Sequence, residues 1–537
     1  MRVARIAFLA AALSGVALQG LHLSPARAAG CTASGPDVVC TETGGVRGTS
    51  TGAVRAFKGI PYAKPPLGAL RFRPPQPAEP WDEIRAAADF GAPCPQLNAA
   101  RAVIGNEDCL TINIWTPAQP SATPLPVMIW MTGGGNHSLS GAGTPGFGGV
   151  TYDGSLMVER GGVVFVTYNL RLGALGFLAH PALNAERPEK ISGNYGSLDQ
   201  IAMLQWVKRN IRAFGGDPDR VFVFGTSAGG GNICALLTAP LAQGLFHGAA
   251  MHSSVPAGCE IQTLAQAEQR TGAEVAEKTG CAHTPDIAAC LRGKSVAEIV
   301  GAVPGTFTVF PRVYGPNVDG HVFPDQPIRL IESRRYRPMP VIIGTTADET
   351  MRFIDAAGPV SDEASFAAAV EKVFGAGPRD AIVAHYPLMA FPTPRAAFVA
   401  ATTDGEFTCV ARRVARTLAA AQAAPVYRYF FHHALENDPK EKANGAIHTV
   451  EHPFFFPFTG KYVPTDAERK LQEAMVLYWS RMAKNGDPNG EGTPSWPRFE
   501  AAADPFLALE NQPAAGQALR SAQCDFWDTV PLPSPHI

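Results

Sequence analysis

Short apolar runs recur along the chain and set the first expectation. Val127–Met131, Val163–Thr167, Val221–Gly225, Val341–Gly344 and Val426–Phe431 each have the length of a buried strand. Several are rich in β-branched residues, which suit a pleated surface. Between them lie helix-forming stretches such as Gln200–Ala213 and Ile233–Leu237. Strand then helix, repeated, predicts an α/β fold: a central, mostly parallel twisted sheet with helices on both faces. Residues 60–82 carry Pro61, Pro65, Pro66, Pro74, Pro75, Pro77 and Pro80. They cannot be helical and are expected to wrap the surface as extended chain. No internal repeat, low-complexity tract or long linker divides the rest, so residues 29–537 read as a single domain with large insertions.

The first 28 residues read differently. Arg2 and Arg5 precede a mostly apolar stretch, Ile6 to Leu23, and Ala26-Arg27-Ala28 forms a small-x-small cleavage site. Residues 1–28 are therefore expected to be a signal peptide, and the mature protein secreted or periplasmic. Ser14, Gln19 and His22 interrupt the stretch, which argues against a membrane anchor. No later segment stays apolar over the roughly 18 residues a span requires. The formal charge of −2 gives no electrostatic case for nucleic acid or for an anionic membrane surface. Ten cysteines, an even number, suit an oxidising compartment. Their spacing fits no zinc site. Cys94 with Cys109 can close one loop and Cys281 with Cys290 a smaller one, each closure contributing about 3 kcal/mol.

The chain holds two G-x-S-x-G matches, and context separates them. Gly225-Thr226-Ser227-Ala228-Gly229 follows the apolar run Val221-Phe222-Val223-Phe224 and leads into helix formers through Leu237. Strand, sharp turn and helix are what a nucleophile elbow requires, and the small residues allow the strained backbone. Gly48-Thr49-Ser50-Thr51-Gly52 has no helix after it, and Ser50 reads as a hairpin loop. A serine that attacks an acyl carbon needs N–H donors waiting for the developing oxyanion. Gly133-Gly134-Gly135 follows Val127–Met131 directly, and Gly134, Gly135 and the amide of Ala228 are the candidate donors. A phosphate cradle would want Lys-Ser/Thr after the glycines, and Asn136-His137 stands there instead.

In a strand–elbow–helix hydrolase the acid follows the nucleophile and the histidine follows the acid. Asp348 and Glu349, just past Val341–Gly344, are the candidate acids. The later histidines are His385, His432, His433, His448, His452 and His536. His448, in the loop Gly445-Ala446-Ile447-His448 before Phe454-Phe455-Phe456, suits a general base best.

At this point the chain resembles the type-B carboxylesterases, the family that includes the cholinesterases, from about Gly44 to Asp525. The resemblance is carried by Phe57-Lys58-Gly59-Ile60-Pro61-Tyr62-Ala63, by Glu107-Asp108-Cys109-Leu110 leading into Asn113-Ile114-Trp115, and by Asn169 through Phe177. It continues in Gly193-Asn194-Tyr195-Gly196 with Asp199-Gln200, and in Ala213-Phe214-Gly215-Gly216-Asp217-Pro218. The resemblance implies the α/β-hydrolase fold and a serine esterase working through an acyl-enzyme on small to medium esters, without metal or cofactor. It implies Glu349 as the acid, with Asp348 the alternative, and His448 as the base. Glu451 matches a carboxylate three residues beyond that base. Disulfides Cys94–Cys109, Cys281–Cys290 and Cys409–Cys524 are implied, while Cys31 with Cys40 and Cys234 with Cys259 stay open. Arg71–Glu107 and Arg171–Asp199 resemble structural ion pairs of the family.

Three departures shape the expected pocket. The glycine loop begins at Thr132 and ends at Asn136, where the family usually has His or Tyr and an aromatic. A more polar pocket wall is expected, with His137 in reach of substrate. The residue before the nucleophile, usually Glu, is Thr226. This removes a negative charge near His448 and predicts tolerance of polar or anionic esters. The loop from Cys94 to Cys109 is short and has no tryptophan, so choline esters are not the expected substrates. Two rival readings remain at this level: a non-catalytic relative acting as a binding module, and an esterase specialised for an unusual ester such as a polyester, lactone, carbamate or toxin ester.

Overall fold

The computed structural model describes residues 31–32, 35–143, 150–254, 258–307, 314–458 and 462–530. The proposed signal peptide lies outside them. The apolar runs become the centre of one large sheet. Its strands, in chain order, are β1 (Thr49–Thr51), β2 (Val54–Pro61), β3 (Thr111–Pro117), β4 (Leu125–Met131), β5 (Val164–Tyr168), β6 (Gly216–Thr226), β7 (Gly248–His252), β8 (Val341–Thr346), β9 (Val426–Phe431), β10 (Pro505–Leu509) and β11 (Ala514–Gln517). In space they run β11-β10-β9-β8-β7-β6-β4-β5-β3-β2-β1. From β5 through β10 every neighbouring pair is parallel, and the strands beyond are antiparallel. The expected α/β-hydrolase architecture is therefore present.

Strand periodicity explains why these runs lack polar positions. Val127, Ile129 and Met131 of β4 join one hydrophobic cluster, whereas Met128 and Trp130 join another on the opposite face. Val221 and Val223 of β6 divide from Phe222 and Phe224 in the same way. Both faces are covered, so both phases of the pleat are apolar. Helix α1 (Tyr195–Asn210) covers one face and α4 (Asp466–Asn485) the other, through Tyr195, Leu204 and Val207 on the first and Met475, Trp479 and Met482 on the second. Helix α2 (Ala228–Thr238) is buried along its whole length. Helix α3 (Cys409–Ala421) presents one apolar face to the core.

Two local expectations are corrected. The helix expected over Gln200–Ala213 begins at Tyr195 and ends in a tighter turn, Ile211–Phe214, closed by Gly215 at φ 84°. Ser50 does not occupy a loop. It lies in β1 opposite Arg55 of β2, and the turn falls after it, at Gly52 with φ 58°. Its hydroxyl is exposed and donates to Asp37. The ion pairs Arg71–Glu107 (2.6 Å) and Arg171–Asp199 (2.7 Å) are both present, and the second ties the segment at Arg171 to α1. Five disulfides form: Cys94–Cys109, Cys281–Cys290, Cys409–Cys524, and the two left open, Cys31–Cys40 and Cys234–Cys259. No cysteine is free among the described residues, and none of their helices is long and apolar enough to cross a membrane. The five disulfides fit a secreted or extracellular protein.

Candidate active site

The site begins where β6 ends. Thr226 still pairs with His252 of β7, and the next residue, Ser227, turns abruptly at φ 62°, ψ −127°. A β-carbon makes that backbone region costly, by about 1–3 kcal/mol, and surrounding structure must hold it. Two devices do so here. The Ser227 amide donates to the carbonyl of His252 at 2.9 Å, and the Ser227 carbonyl accepts from Gly231 of α2 at 3.0 Å. Gly225 and Gly229 allow the end of β4 to close in, since a β-carbon on either would land on the carbonyl oxygen of Met131. Ala228 is the first residue of α2, so its amide belongs to the unpaired N–H groups of a helix start.

The glycine loop leaves β4 beside this elbow. Gly133 packs against the Thr226 carbonyl and the β-carbon of Ser227. Gly134 and Gly135 adopt φ 76° and 57°, and Asn136 follows at 55°. Asn136, expected on the pocket wall, has its side chain bonded within the fold. It is buried, accepting from the Asn232 amide of α2 at 2.8 Å and donating to the Tyr314 carbonyl at 2.8 Å. It clips the glycine loop to α2.

His137, the next residue, does line a cleft of about 680 Å³, together with Gln96, Arg101, Leu139, Phe307 and Tyr314. Its ring packs on Phe307, with centroids 4.3 Å apart. Burial pushes its imidazole down to about 4, so it is neutral near pH 7, and its Nε2 has no hydrogen-bond partner.

The acid and the histidine come from loops after β8 and β9. Glu349 opens a short turn, Glu349–Arg352, and is fully buried. One carboxylate oxygen accepts from the Thr346 amide at 2.7 Å, and the other meets His448 Nδ1 at 2.6 Å. Asp348 staples the acid loop to the histidine loop instead. Its amide donates to the Ala446 carbonyl, and its carboxylate accepts from the Ala446 amide, both at 2.9 Å. The rings of Phe353 and Phe407 flank His448 at 5.2 and 5.6 Å.

The other histidines are engaged elsewhere. His432 meets Glu510 and His433 meets Glu468. His385 stacks on Phe526, and His452 packs on Trp130. His536 lies outside the described residues.

One bond joins the histidine loop to the elbow. The hydroxyl of Thr226 donates to Glu451 at 3.0 Å. Thr226 is fully buried and is not a pocket residue, which corrects a second expectation. Nor does threonine there leave the region without a second carboxyl, because Glu451 occupies it. Burial first, and then the charge of Glu349, push the Glu451 carboxyl up to about 7.

Sequence reasoning singles out Ser227, the glycines, Glu349 and His448. It misses the bracing by Asn232, the staple made by Asp348, and the rings of Phe353 and Phe407. None of these carries a local signal. Among the described residues, no group of three His, Cys, Asp or Glu side chains is arranged to hold a metal.

A parallel sheet with a serine on a strained strand-to-helix turn, and a buried carboxylate–imidazole pair on later loops, defines an α/β-hydrolase. The chain belongs to the carboxylesterase family, which it matches over residues 35–527. It is 36% identical to the cocaine esterase of Homo sapiens, an alignment covering 97% of this chain and 96% of that protein. It is 35% identical to the fumonisin B1 esterase of Sphingopyxis macrogoltabida, over 89% of this chain and 87% of the other. Among solved structures it is similar to a PNB esterase, with a TM-score of 0.78 and 31% identity over 92% of this chain and 99% of that one. The protein is thus a carboxylesterase.

Proposed function

We propose that this carboxylesterase is a serine hydrolase that works through an acyl-enzyme, with Ser227 as nucleophile, His448 as base and Glu349 as acid. The observation that carries the reading is the 2.6 Å bond between His448 Nδ1 and the fully buried Glu349. That bond fixes the tautomer, leaving Nε2 to take a proton, and stabilises the imidazolium when it forms. The Thr226–Glu451 bond supports the same reading, because it ties the loop of the base to the residue next to the nucleophile.

Ser227 Oγ attacks the ester carbonyl as His448 takes its proton. The oxyanion is received by the amides of Gly134, Gly135 and Ala228, each such donor contributing roughly 3–4 kcal/mol. His448 then protonates the departing alcohol. Water, activated by the same ring, releases the acid and restores the serine. Residues 29–537 form the catalytic domain, delivered outside the cytoplasm by residues 1–28. The substrates are small to medium esters with polar or anionic groups. His137, a neutral ring on the wall of the cleft, adds a polar residue to it.

The test is an active-site fluorophosphonate. It should add one adduct, mapping to the peptide that contains Ser227, and Ser227→Ala should abolish both labelling and ester turnover. Labelling on another serine, or turnover surviving in Ser227→Ala, would refute the assignment.

A further inference from the structure

Among the described residues, three glutamines each hold one distant residue by both of its backbone groups. Gln326 accepts from the amide of Ile261 at 2.8 Å and donates to its carbonyl at 2.7 Å. Gln422 treats Met339 in the same way, at 3.2 and 2.7 Å. Gln96 accepts from the amide of Leu139 at 2.7 Å and donates to its carbonyl at 3.0 Å. In each case one side-chain amide stands in for the neighbouring strand that a buried backbone would otherwise need. Gln422 and Met339 lie ahead of β9 and β8, at the end of the sheet away from the site. The clamp of Gln96 falls instead on the glycine loop, at the residue four past Gly135.

Leu139 is a residue that must be held. It is buried at φ 78°, a backbone region that the β-carbon of a leucine disfavours. Its side chain lies over Gly134, since a β-carbon there would come within 2.8 Å of Leu139 Cγ. The turn between them closes on the Gly134 carbonyl, which accepts from the amides of His137 and Ser138 at 3.0 and 3.1 Å and from the Ser138 hydroxyl at 3.3 Å. A trans peptide unit points its N–H opposite to its C=O, and the N–H of that same unit belongs to Gly135. Whatever fixes residues 137–139 therefore fixes the direction of a candidate oxyanion donor. Gln96 is itself fixed. Its side chain is buried, its Nε2 also donates to the carbonyl of Cys94 at 3.0 Å, and Cys94 is bonded to Cys109. Its backbone pairs with Ile104 in a small hairpin.

We propose that Gln96 is a positioning residue of the oxyanion loop, which by clamping Leu139 holds the turn that aims the Gly135 amide. The inference rests on the acyl-enzyme reading above and deepens it by naming the residue outside the loop that sets the loop's geometry. Donors fixed in advance stabilise the charge that develops in the transition state more than they stabilise bound ester. A loosened turn therefore costs turnover before it costs binding.

Gln96→Met removes the clamp at nearly constant volume. With p-nitrophenyl butyrate, kcat should fall at least about tenfold while KM changes less than about threefold. Hexylthio trifluoropropanone reads the oxyanion directly, because the serine adds to its ketone carbonyl and leaves the oxygen negative. Its Ki should rise by the same factor as kcat/KM falls. Gln96→Glu, which carries the test should Gln96→Met fail to fold, keeps an acceptor for the Leu139 amide and loses the donor to two carbonyls. Burial raises the pKa of the substituted carboxyl, and its protonated form can donate again. The kcat of Gln96→Glu relative to wild type should therefore decline from about pH 6 to about pH 8. Gln422→Met removes the same kind of clamp at the far end of the sheet and should keep kcat within about twofold. A folded Gln96→Met with kcat within about twofold of wild type, or with the ketone Ki unchanged, would overturn the proposal. So would a relative kcat of Gln96→Glu that rises with pH. An equal loss of kcat in Gln422→Met would do the same, since general loosening would then be the cause. Failure of the parent reading looks different: Gly134→Ala would also keep full kcat, or the wild type would neither hydrolyse the ester nor label at Ser227, and the proposal would fall with it.

Discussion

Ser227 sits where strands end so close together that no side chain larger than hydrogen fits at Gly225 or Gly229. His448 sits on a loop tied down by carboxylates. Around the serine the restraints are backbone restraints: the register of β6 against β4 and β7, two amide bonds, and the bare approach of Met131. Around the histidine they are side-chain bonds between residues far apart in sequence. Glu349 and His448 are 99 positions apart, Asp348 and Ala446 are 98 apart, and Thr226 and Glu451 are 225 apart. A close-packed backbone moves little when one side chain changes, whereas a loop hung on three bonds depends on each. The half built around Ser227 and the glycine loop should therefore respond to added volume, and the histidine half to the loss of a single polar atom.

The largest expected effect is on the histidine side. Glu349→Gln keeps the volume but removes the charge and the tautomer control, and kcat should fall by about 10⁴ with the fold retained. A loss below tenfold, by steady-state kinetics on a neutral ester, would mean that the 2.6 Å bond does not orient the base.

On the backbone side, Gly134→Ala is next. Gly134 lies at φ 76°, and a β-carbon there would come within 2.8 Å of Leu139 Cγ. The loop must shift its amides, and kcat should fall by about 10² to 10³ with little change in KM. Unaltered kcat would show that these amides do not carry the oxyanion.

The smallest effect is on the bond that joins the halves. Thr226→Val leaves Glu451 buried without its donor, and stability should fall by about 1–3 kcal/mol. The sign with pH follows from Glu451, whose folded carboxyl is raised to about 7 from an ordinary value near 4.5. The native state binds the extra proton, so its stability declines as pH rises from about 4.5 to about 7. Removing the hydroxyl raises the folded value further. The deficit of Thr226→Val should therefore be larger at pH 8 than at pH 5.5 in denaturant melts, and a deficit that shrinks with pH would contradict this account.

The same contrast explains what could be read in the chain beforehand. The central strands were legible because burial on both faces leaves no polar position in Val221–Gly225 or Val341–Gly344. β7, Gly-Ala-Ala-Met-His, and β10, Pro-Phe-Leu-Ala-Leu, lack β-branched residues and gave no such signal. The elbow and the glycine loop were legible because their chemistry is local: glycines at fixed offsets from a strand end. His448 could not be separated from its rivals by local context alone, since what distinguishes it is a partner 99 residues away. Asn136 and Thr226 were misjudged for that same reason. Beside a site, a polar residue looks like pocket wall until its distant partner, Asn232 or Glu451, is seen.

The account stands most directly on whether the serine of the backbone-built half is acylated by a substrate ester. Rapid quenching of the wild-type enzyme with a p-nitrophenyl ester, followed by peptide mass mapping, should find the acyl group on Ser227 and should show far slower acylation in His448→Gln. An acyl group on any other residue, or Ser227 acylated as fast without His448, would contradict it.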